Sequence, residues 1–548
     1  MYKYIVFYYF LLTLLLPNFI LSFTEPLSLA GALTNILLPG GVIWLLLSLC
    51  RKLGRTIWLM FPLIFFAAFQ IVLLDLYGRS VIAVDMFLNL VTTNTSEVAE
   101  LLGNMLPVII IVVVLYVPSL VTGVVFMRRK TYMPDSFLRP NRKAADCVSI
   151  AGVLCLIVSY CMPPYAVSDD LYPVNVCYNI YLAFDRTAKT ARYDETSKDF
   201  SYGARSTRPA DEREIYILVI GETARADNWQ LLGYYRPTNP KLSKRDGLYA
   251  AADAYSESNT THKSVPMLLS PVDATNFNTD IYRIKSLVTA FKEAGFSTAF
   301  LSNQRYNRSF IDFFAEESDT CVFIKEQPER AGSLKQNSVP DSELLPYLDG
   351  ILAKEAPKQL IVLHTYGSHF NYIDRYSKAD ELFTPCDYTE ATKGNREKLI
   401  NAYDNTIVAT DRLLDDCISR LDSISGANTG LLYTSDHGED IFDNGSGRFL
   451  HASPRPTLQQ VHVPLIVWIS SRFAENYPDA TEAVRKNISR KISTSRSFCP
   501  SAFDMAGIKV SGNAMTDTAA SVFRQNYVPR EPLYLTDHNT PVTLKSIL

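Results

Sequence analysis

The sequence predicts a two-part protein: an N-terminal domain of five membrane-spanning helices, followed by a C-terminal α/β domain. Before about residue 165 the 548-residue chain is a series of long apolar stretches, and the remainder has the composition of a soluble globular protein. In that remainder, short apolar strands alternate with helical patterns, which is typical of an α/β layer fold. The formal net charge of −3 gives no indication of a nucleic-acid partner.

Five apolar segments are each long enough to cross a bilayer, which takes roughly 20 mainly apolar residues. The first should be a retained anchor, because it lacks a clear small-residue cleavage site and four more spans follow. The segments comprise residues 4–23, 28–50, 56–77, 104–127 and 145–164. The loops after the second and fourth spans carry the basic residues Arg51, Lys52, Arg55, Arg128, Arg129, Lys130, Arg139, Arg142 and Lys143. Such loops face the cytoplasm, so everything after residue 165 should face the periplasm of a cell with two membranes.

The predicted boundaries follow from this layout. We expect a transmembrane domain over residues 1–165 with a periplasmic loop at 78–103, a connector over 166–211 and a periplasmic α/β domain over 212–548. In the loop, Asn89, Thr93 and Glu97 are four residues apart and would share one face of a helix. They form either a solvated polar stripe on an interfacial helix or a clamp for a lipid headgroup, and the spacing favours neither.

Polar groups follow three of the predicted strands at the point where each strand ends. The strand at 215–220 leads into Glu222, and the strand at 360–363 leads into His364 and His369. A third strand, ending near residue 435, leads into Asp436 and His437. Because the carboxyl ends of parallel strands meet at one edge of a sheet, these side chains should converge. Carboxylate oxygens and imidazole nitrogens are both suitable ligands for zinc.

A loop rich in hydroxyl groups, residues 255–266, enters a predicted helix. Its Ser and Thr residues could simply cap that helix. The alternative is that a hydroxyl held beside a metal is a nucleophile, with Thr261 the first choice and Thr260 the second. A metal site that includes a protein hydroxyl is suited to transferring a phosphoryl or sulfuryl group through a covalent intermediate.

These motifs together resemble those of the membrane-bound phosphoethanolamine transferases that modify lipid A. That family includes the mobilised colistin-resistance enzymes and belongs to the alkaline phosphatase–sulfatase superfamily. The five spans and the spacing of Asn89, Thr93 and Glu97 match as well, so the resemblance covers nearly the whole chain. The matching motifs are Gly221-Glu-Thr-Ala-Arg-Ala-Asp227, Ser264-Val-Pro266, His364-Thr-Tyr-Gly-Ser-His369, Asn401-Ala-Tyr-Asp-Asn405, Ser435-Asp-His-Gly-Glu439 and Leu450-His451.

The resemblance implies a sulfatase-like catalytic domain and a role for each candidate residue. Thr261 would take phosphoethanolamine from phosphatidylethanolamine and pass it to lipid A or another envelope glycan, in the bacterial inner membrane with the catalytic domain in the periplasm. Asn303 would contact the donor, and Asn89, Thr93 and Glu97 would bind its lipid part. The catalytic Zn²⁺ would be bound by Glu222, Thr261, Asp436 and His437, and the donor phosphate or a second zinc by His369, His451 and His364.

Two departures from the family pattern concern the nucleophile loop. Glu257 and Met267 stand where the related enzymes usually have cysteines, and Cys386 has no nearby partner. The loop should therefore be held by packing instead of disulfides. The alternatives are a related membrane-bound phosphodiesterase or glycerol-phosphate transferase, and a non-catalytic membrane-anchored envelope protein. The identity of the acceptor and the number of metal ions stay open.

Overall fold

The structure is a computed structural model and describes residues 1–77, 81–92, 106–161, 165–327, 339–388, 390–445, 447–511 and 517–548, without the side chains of residues 76, 77 and 89–92. Thr93 and Glu97 of the predicted lipid clamp lie outside the described residues, as does the side chain of Asn89. The chain divides into two compact units, Met1–Asp185 with Asp443–Arg448, and Arg186–Phe442 with Phe449–Leu548.

The first unit is helical. Its helices include α1 (Tyr2–Thr24), α2 (Leu29–Leu49), α3 (Leu53–Leu59), α4 (Phe61–Tyr77), α5 (Val84–Thr92), α6 (Leu106–Arg128), α7 (Asp135–Tyr160) and α8 (Val167–Asp170). By length and composition, four of these helices could each cross a membrane. Helices α3 and α4, which meet at a bend of 57°, could together form a fifth span. The prediction of five spans is confirmed in this form, with the third span broken.

The fifth predicted span begins earlier than expected, at Asp135 rather than residue 145. Its first turns carry basic residues, which were assigned to a loop from the sequence. Arg142 lies inside the helix and donates from Nε to the carbonyl of Ser48, at 2.8 Å. A charged residue can thus continue a helix when a neighbouring helix end supplies an acceptor.

Helices α2 and α7 approach each other closely through small residues. A Cβ atom at Gly152 would lie 2.5 Å from the backbone nitrogen of Leu38, and one at Gly41 would lie 2.5 Å from that of Ser149. Small residues at such crossings are typical of helix pairs in membranes, where backbone proximity replaces the hydrophobic effect as the source of attraction. Large apolar side chains face outwards instead, as at Ile110 and Val114 of α6.

The second unit is an α/β fold around a seven-stranded sheet. Its strands are β1 (Arg205–Ser206), β2 (Glu214–Gly221), β3 (Leu248–Ala251), β4 (Ala254–Tyr255), β5 (Ser297–Ser302), β6 (Thr320–Phe323), β7 (Lys358–His364), β8 (Asn428–Ser435), β9 (Asp440–Ile441), β10 (Phe449–Leu450), β11 (Leu465–Ile469), β12 (Ile492–Ser493), β13 (Ile508–Lys509), β14 (Leu533–Leu535) and β15 (Pro541–Thr543). The large sheet has the order β3-β11-β8-β2-β7-β5-β6, and β11 runs antiparallel to both its neighbours.

Helices cover both faces of this sheet. After α9 (Val174–Thr190), the helices are α10 (Tyr193–Ser197), α11 (Thr261–Leu268), α12 (Phe277–Asp280), α13 (Leu287–Glu293), α14 (Phe310–Glu316), α15 (Leu345–Leu352), α16 (Arg396–Asp422), α17 (Leu458–Val461), α18 (Ser471–Asn476), α19 (Pro478–Asn487) and α20 (Thr494–Met505). The long amphipathic helix predicted over residues 395–421 is α16.

Strand β2 is buried on both faces, as its unbroken apolar sequence predicts. Side chains alternate between faces of a strand, and here Tyr216 and Leu218 join one hydrophobic core whereas Ile215 and Ile217 join the other. The strand therefore separates the two cores, and its carboxyl end is held rigidly between its neighbours β7 and β8.

The first residue of β2 is a fully buried carboxylate, Glu214. Two cations neutralise it: Arg208 forms an ion pair with it, and Lys358 places Nζ 2.9 Å from its Oε2 atom. The Tyr216 hydroxyl also donates to Glu214, at 3.1 Å. Because each partner is itself buried, this network fixes the start of β2 against β7 and the preceding segment.

The segment before β2 is part of the second unit's core. Tyr193 is 4% exposed and Tyr202 is fully buried, and both belong to the hydrophobic cluster on one face of the sheet. The sequence assigned these residues to the connector because their neighbours are polar. Their aromatic rings nevertheless provide a large apolar surface that the α/β domain covers.

We therefore expect a fragment of residues 186–548 to unfold cooperatively, with greater stability than a fragment of residues 212–548. Loss of a large buried aromatic side chain costs about 3–5 kcal/mol, and the shorter fragment loses both tyrosines and Arg208. Denaturant unfolding of the two fragments, followed by circular dichroism, measures the difference. A fragment of residues 198–548, which keeps Tyr202 alone, should be intermediate, and equal free energies for all three would contradict the expectation.

Candidate active site

The register of the central strands brings the predicted metal ligands together. Gly221 at the end of β2 pairs with Ser435 of β8, and Ile220 pairs with His364 of β7. The residues that follow Gly221 and Ser435 are Glu222 and Asp436, so two carboxylates leave adjacent parallel strands at the same level. This is the crevice at the carboxyl edge where ligands bind in open α/β sheets.

Glu222, Asp436 and His437 form a compact buried cluster. Their potential ligand atoms all lie within 4.8 Å of one another, and His437 Nε2 is 3.5 Å from Glu222 Oε1 and 3.3 Å from Asp436 Oδ2. The Nδ1 atom of His437 lies 3.0 Å from the carbonyl of Gly438. Because a carbonyl only accepts hydrogen bonds, we assign the proton to Nδ1, which leaves the Nε2 lone pair directed at the two carboxylates.

The electrostatics of the cluster favour a bound cation. Burial, followed by repulsion from Asp436, raises the pKa of Glu222 well above its ordinary value. Burial also raises the pKa of Asp436 to about 6, and burial together with the neighbouring His451 lowers the pKa of His437 well below its ordinary value. Two buried carboxylates and a neutral imidazole fit a divalent metal ion, which would offset the repulsion and accept all three lone pairs.

The hydroxyl of Thr261 contacts both Glu222 and His437 of this cluster. It is the first residue of α11, and its Oγ1 atom lies 3.3 Å from both carboxylate oxygens of Glu222 and 3.1 Å from His437 Nε2. Thr260, the residue before the helix, places its Oγ1 atom 3.1 Å from the hydroxyl of Ser258 instead. The two adjacent threonines therefore have different surroundings, and only Thr261 is oriented for chemistry at the cluster.

Thr223 supports both carboxylates and was not singled out from the sequence. Its hydroxyl donates to Glu222 Oε1 at 2.7 Å, and its backbone N–H donates to Asp436 Oδ1 at 3.2 Å. These bonds require φ of +60°, which is strained for a β-branched residue. The Tyr403 hydroxyl of α16 donates to the Thr223 carbonyl at 2.7 Å, and so holds the strained turn. Ser264 completes the support with a bond to Asp436 Oδ2 at 3.0 Å.

Two further histidines adjoin the cluster. The His451 ring centroid is 4.2 Å from that of His437 and 5.8 Å from that of His369. His369 Nδ1 lies 2.6 Å from the carbonyl of Phe370, so its Nε2 atom keeps a lone pair. Burial, together with His451, lowers the pKa of His369 to about 3. His451 Nδ1 is 3.7 Å from the fully buried carboxylate of Glu439. Glu439 is the last residue of the motif that begins at Ser435, and the sequence alone indicates no role for it.

The two other candidate residues, His364 and Asn303, bond groups outside the cluster. His364 is fully buried at the end of β7, with Nδ1 3.4 Å from the hydroxyl of Ser302, and burial lowers its pKa to about 3. Its ring packs edge-on to Phe300. His364 thus lies at the carboxyl edge of the sheet, as expected, but beside β5.

Asn303 and its neighbour Gln304 point in different directions. The Asn303 amide donates to the carbonyl of Val339 at 2.9 Å and to Asp341 at 2.8 Å. Gln304 instead donates to Glu222 Oε2 at 3.3 Å. The strand ends at Ser302 and the chain bends at these two residues, and here Gln304 rather than Asn303 contacts the candidate metal ligand.

A family model described as Sulfatase matches residues 214–508, which is more than half of the chain. The chain belongs to the sulfatase family. Phosphoethanolamine transferase EptA of Salmonella typhimurium is 31% identical over 286 residues, 51% of this chain and 50% of the relative. Phosphatidylethanolamine transferase Mcr-1 of Escherichia coli is 28% identical over 424 residues, 75% of this chain and 77% of the relative.

Among solved structures, the integral membrane protein lipooligosaccharide phosphoethanolamine transferase A of Neisseria meningitidis has a TM-score of 0.72 at 21% identity. The likeness covers 92% of this chain and 95% of that one, which shows a shared fold. This sulfatase-family chain spans about half the length of the first curated EptA relatives that it matches.

We expect Asp436→Asn to lower the affinity for a divalent metal ion by at least about tenfold, because the substitution removes a charged ligand and leaves its volume unchanged. Metal analysis and calorimetric titration of the purified protein measure the change. His462→Ala is the matched control, since His462 bonds Asp227 and the carbonyl of Ala252 and is not part of the cluster. Equal metal affinity in the two variants would contradict the ligand assignment.

Proposed function

We propose that the chain is a zinc-dependent transferase of the bacterial inner membrane, with its catalytic domain in the periplasm. It moves phosphoethanolamine from phosphatidylethanolamine to lipid A or another envelope glycan through a covalent intermediate on Thr261. The observation that carries the proposal is the position of the Thr261 hydroxyl, 3.1 Å from His437 Nε2 and 3.3 Å from both Glu222 oxygens. The names of the relatives supply the transferred group and its donor.

Zinc suits the donor set. Structural and catalytic zinc sites are most often four-coordinate, with nitrogen and oxygen ligands among their donors. Glu222, Asp436 and His437 supply two carboxylates and one imidazole, and the hydroxyl of Thr261 is the fourth donor. When bound, zinc lowers the pKa of a coordinated hydroxyl and polarises the phosphate.

The first half-reaction uses Thr261 as the nucleophile. Its Oγ1 atom forms a bond to phosphorus, the bond from phosphorus to the glycerol oxygen of the donor breaks, and diacylglycerol leaves. The hydroxyl proton leaves to the medium, and the leaving oxygen takes a proton from the medium. Phosphoethanolamine is then esterified to Thr261.

The second half-reaction transfers the group to an acceptor oxygen. An acceptor hydroxyl or phosphate attacks phosphorus, and the bond to Thr261 breaks. Burial lowers the pKa of His369 to about 3, so its neutral ring is a weak base, and its Nε2 lone pair is suited to bind a second metal ion. The acceptor's proton leaves to the medium, and the Thr261 oxygen takes up a proton as its bond to phosphorus breaks. His451, whose ring adjoins that of His437, lies between this group and the nucleophile's cluster.

Thr261→Ala and Thr261→Val should abolish transfer, because neither can form the covalent intermediate, whereas Thr261→Ser should keep part of the activity. Transfer from a fluorescent phosphatidylethanolamine, with peptide mass analysis of the adduct, measures both steps. Thr260→Ala is the matched control, since Thr260 bonds Ser258. If Thr261 were only the first residue of α11, alanine would leave turnover intact. That result, or an adduct on Thr260, would refute the proposal.

Glu97, with Asn89 and Thr93, is proposed to bind the lipid donor. The motivation is their shared helical face in the sequence and the resemblance to lipid-using transferases. Glu97→Ala should raise the KM for phosphatidylethanolamine in vesicles while the zinc content stays the same. Unchanged kinetics with the vesicle donor would remove these residues from the site.

A further inference from the structure

The C-terminal hairpin, defined as strands β14 and β15, lies outside the sulfatase match. That match ends at residue 508, and the two strands pair antiparallel with Tyr534 opposite Val542. An appended hairpin need not take part in the chemistry of the domain. This one, however, contacts the nucleophile loop, which we define as residues 257–263.

The hairpin is bonded to the nucleophile loop on both sides of Thr261. The three bonds run from Leu535 N–H to the carbonyl of Glu257 at 2.7 Å, from the Tyr534 hydroxyl to Asn259 Oδ1 at 2.7 Å, and from Lys263 Nζ to the carbonyl of Thr536 at 3.1 Å. Thr261 is therefore the centre of a short segment whose two ends are tied to the same hairpin.

Asn259 connects this hairpin to the loop that carries His451. Its amide Nδ2 donates to the carbonyl of Ser453 at 2.8 Å and to Gln460 Oε1 at 2.6 Å, and its own carbonyl accepts from Ala452 N–H at 3.2 Å. The Tyr534 hydroxyl bonds the remaining side-chain atom, Oδ1. Asn259 and Tyr534 are each 2% exposed, so water does not replace these partners.

The backbone around His451 depends on these bonds. Leu450 and Ala452 have φ of +68° and +62°, a conformation that non-glycine residues rarely adopt. Gln460 donates to the carbonyl of Leu450 at 3.2 Å, and Asn259 bonds the residues on the other side of His451. Strained backbone of this kind persists only where the surroundings fix it.

We propose that Tyr534 and Asn259 are positioning residues that set the distance between the nucleophile Thr261 and His451. The inference rests on the proposed function. Tyr534 fixes the amide of Asn259 in one orientation, and that amide joins the two loops. Neither residue touches the reacting atoms. Their effect is on the alignment of the groups that do, and alignment controls the chemical step more than substrate affinity.

Tyr534→Phe in the full-length enzyme removes a single hydroxyl and tests this role. We expect kcat, and the single-turnover rate of adduct formation on Thr261, to fall about tenfold, since a misplacement of 1 Å can cost about 100-fold. KM for vesicle phosphatidylethanolamine and the zinc content should stay at wild-type values. The matched control is Tyr527→Phe, because Tyr527 is also buried near the C-terminus and its hydroxyl donates to a carbonyl, that of Lys491 at 2.8 Å.

Asn259→Ala alters the same contact from the other side and provides a second variant. Because Tyr534 acts through Asn259, the double variant should be no slower than Asn259→Ala alone. If the rate losses of the two single variants multiplied in the double variant, the inference would be overturned. Equal kcat values for Tyr534→Phe and Tyr527→Phe at equal melting temperatures would overturn it as well. Absence of any adduct in the wild-type enzyme would instead overturn the proposed function, and this inference with it.

Discussion

The candidate site depends on the placement of two carboxylates, Glu222 and Asp436, side by side in a buried position. The cause is the register of β2 and β8. Both strands are buried along their whole length, and they end at the same level. Neither carboxylate can withdraw into water, because the strands before them are fixed within the two cores. Their proximity therefore follows from the fold, and a bound cation would offset the repulsion between them. The strain at Thr223 and the bond from Tyr403 follow from the need to hold both carboxylates in place.

The nucleophile loop is held by charge and hydrogen bonds. All nine cysteines are among the described residues, and none forms a disulfide. Glu257 stands where the resemblance leads one to expect a cysteine. It accepts bonds from Ala274 N–H at 2.8 Å and the Ser493 hydroxyl at 2.9 Å, and Arg496 lies 3.1 Å away. The sequence predicts that packing holds this loop in place of disulfides, and the structure adds a buried ion pair and hydrogen bonds to that packing. The ion pair of Glu257 and Arg496 fixes the direction of the Glu257 side chain as well as its distance from Arg496, as long as both groups stay buried and paired.

Parts of this arrangement could be read from the sequence because they follow from short-range patterns. The apolar run of β2 predicts a strand buried on both faces, and a carboxylate just beyond its end predicts a ligand at the sheet edge. The choice between Asn303 and Gln304 could not be made, because it depends on which way the chain leaves β5. The role of Tyr534 could not be found either. It bonds a residue 275 positions away, and neither a motif nor a periodicity connects the two.

The carboxylates of the cluster and His451 are supported in different ways. Glu222 and Asp436 follow strands of the central sheet, so their positions are determined by the cores on either side. His451 follows β10, a two-residue strand that pairs with β9 in a separate sheet among the described residues. Its flanking backbone is in the left-handed region on both sides. Thr261 and His451 each lie on a loop outside the central sheet, and the buried amide of Asn259, with every polar atom bonded, links the two loops. Under the proposal made for Tyr534, a residue outside the matched sulfatase region would keep groups within that region aligned.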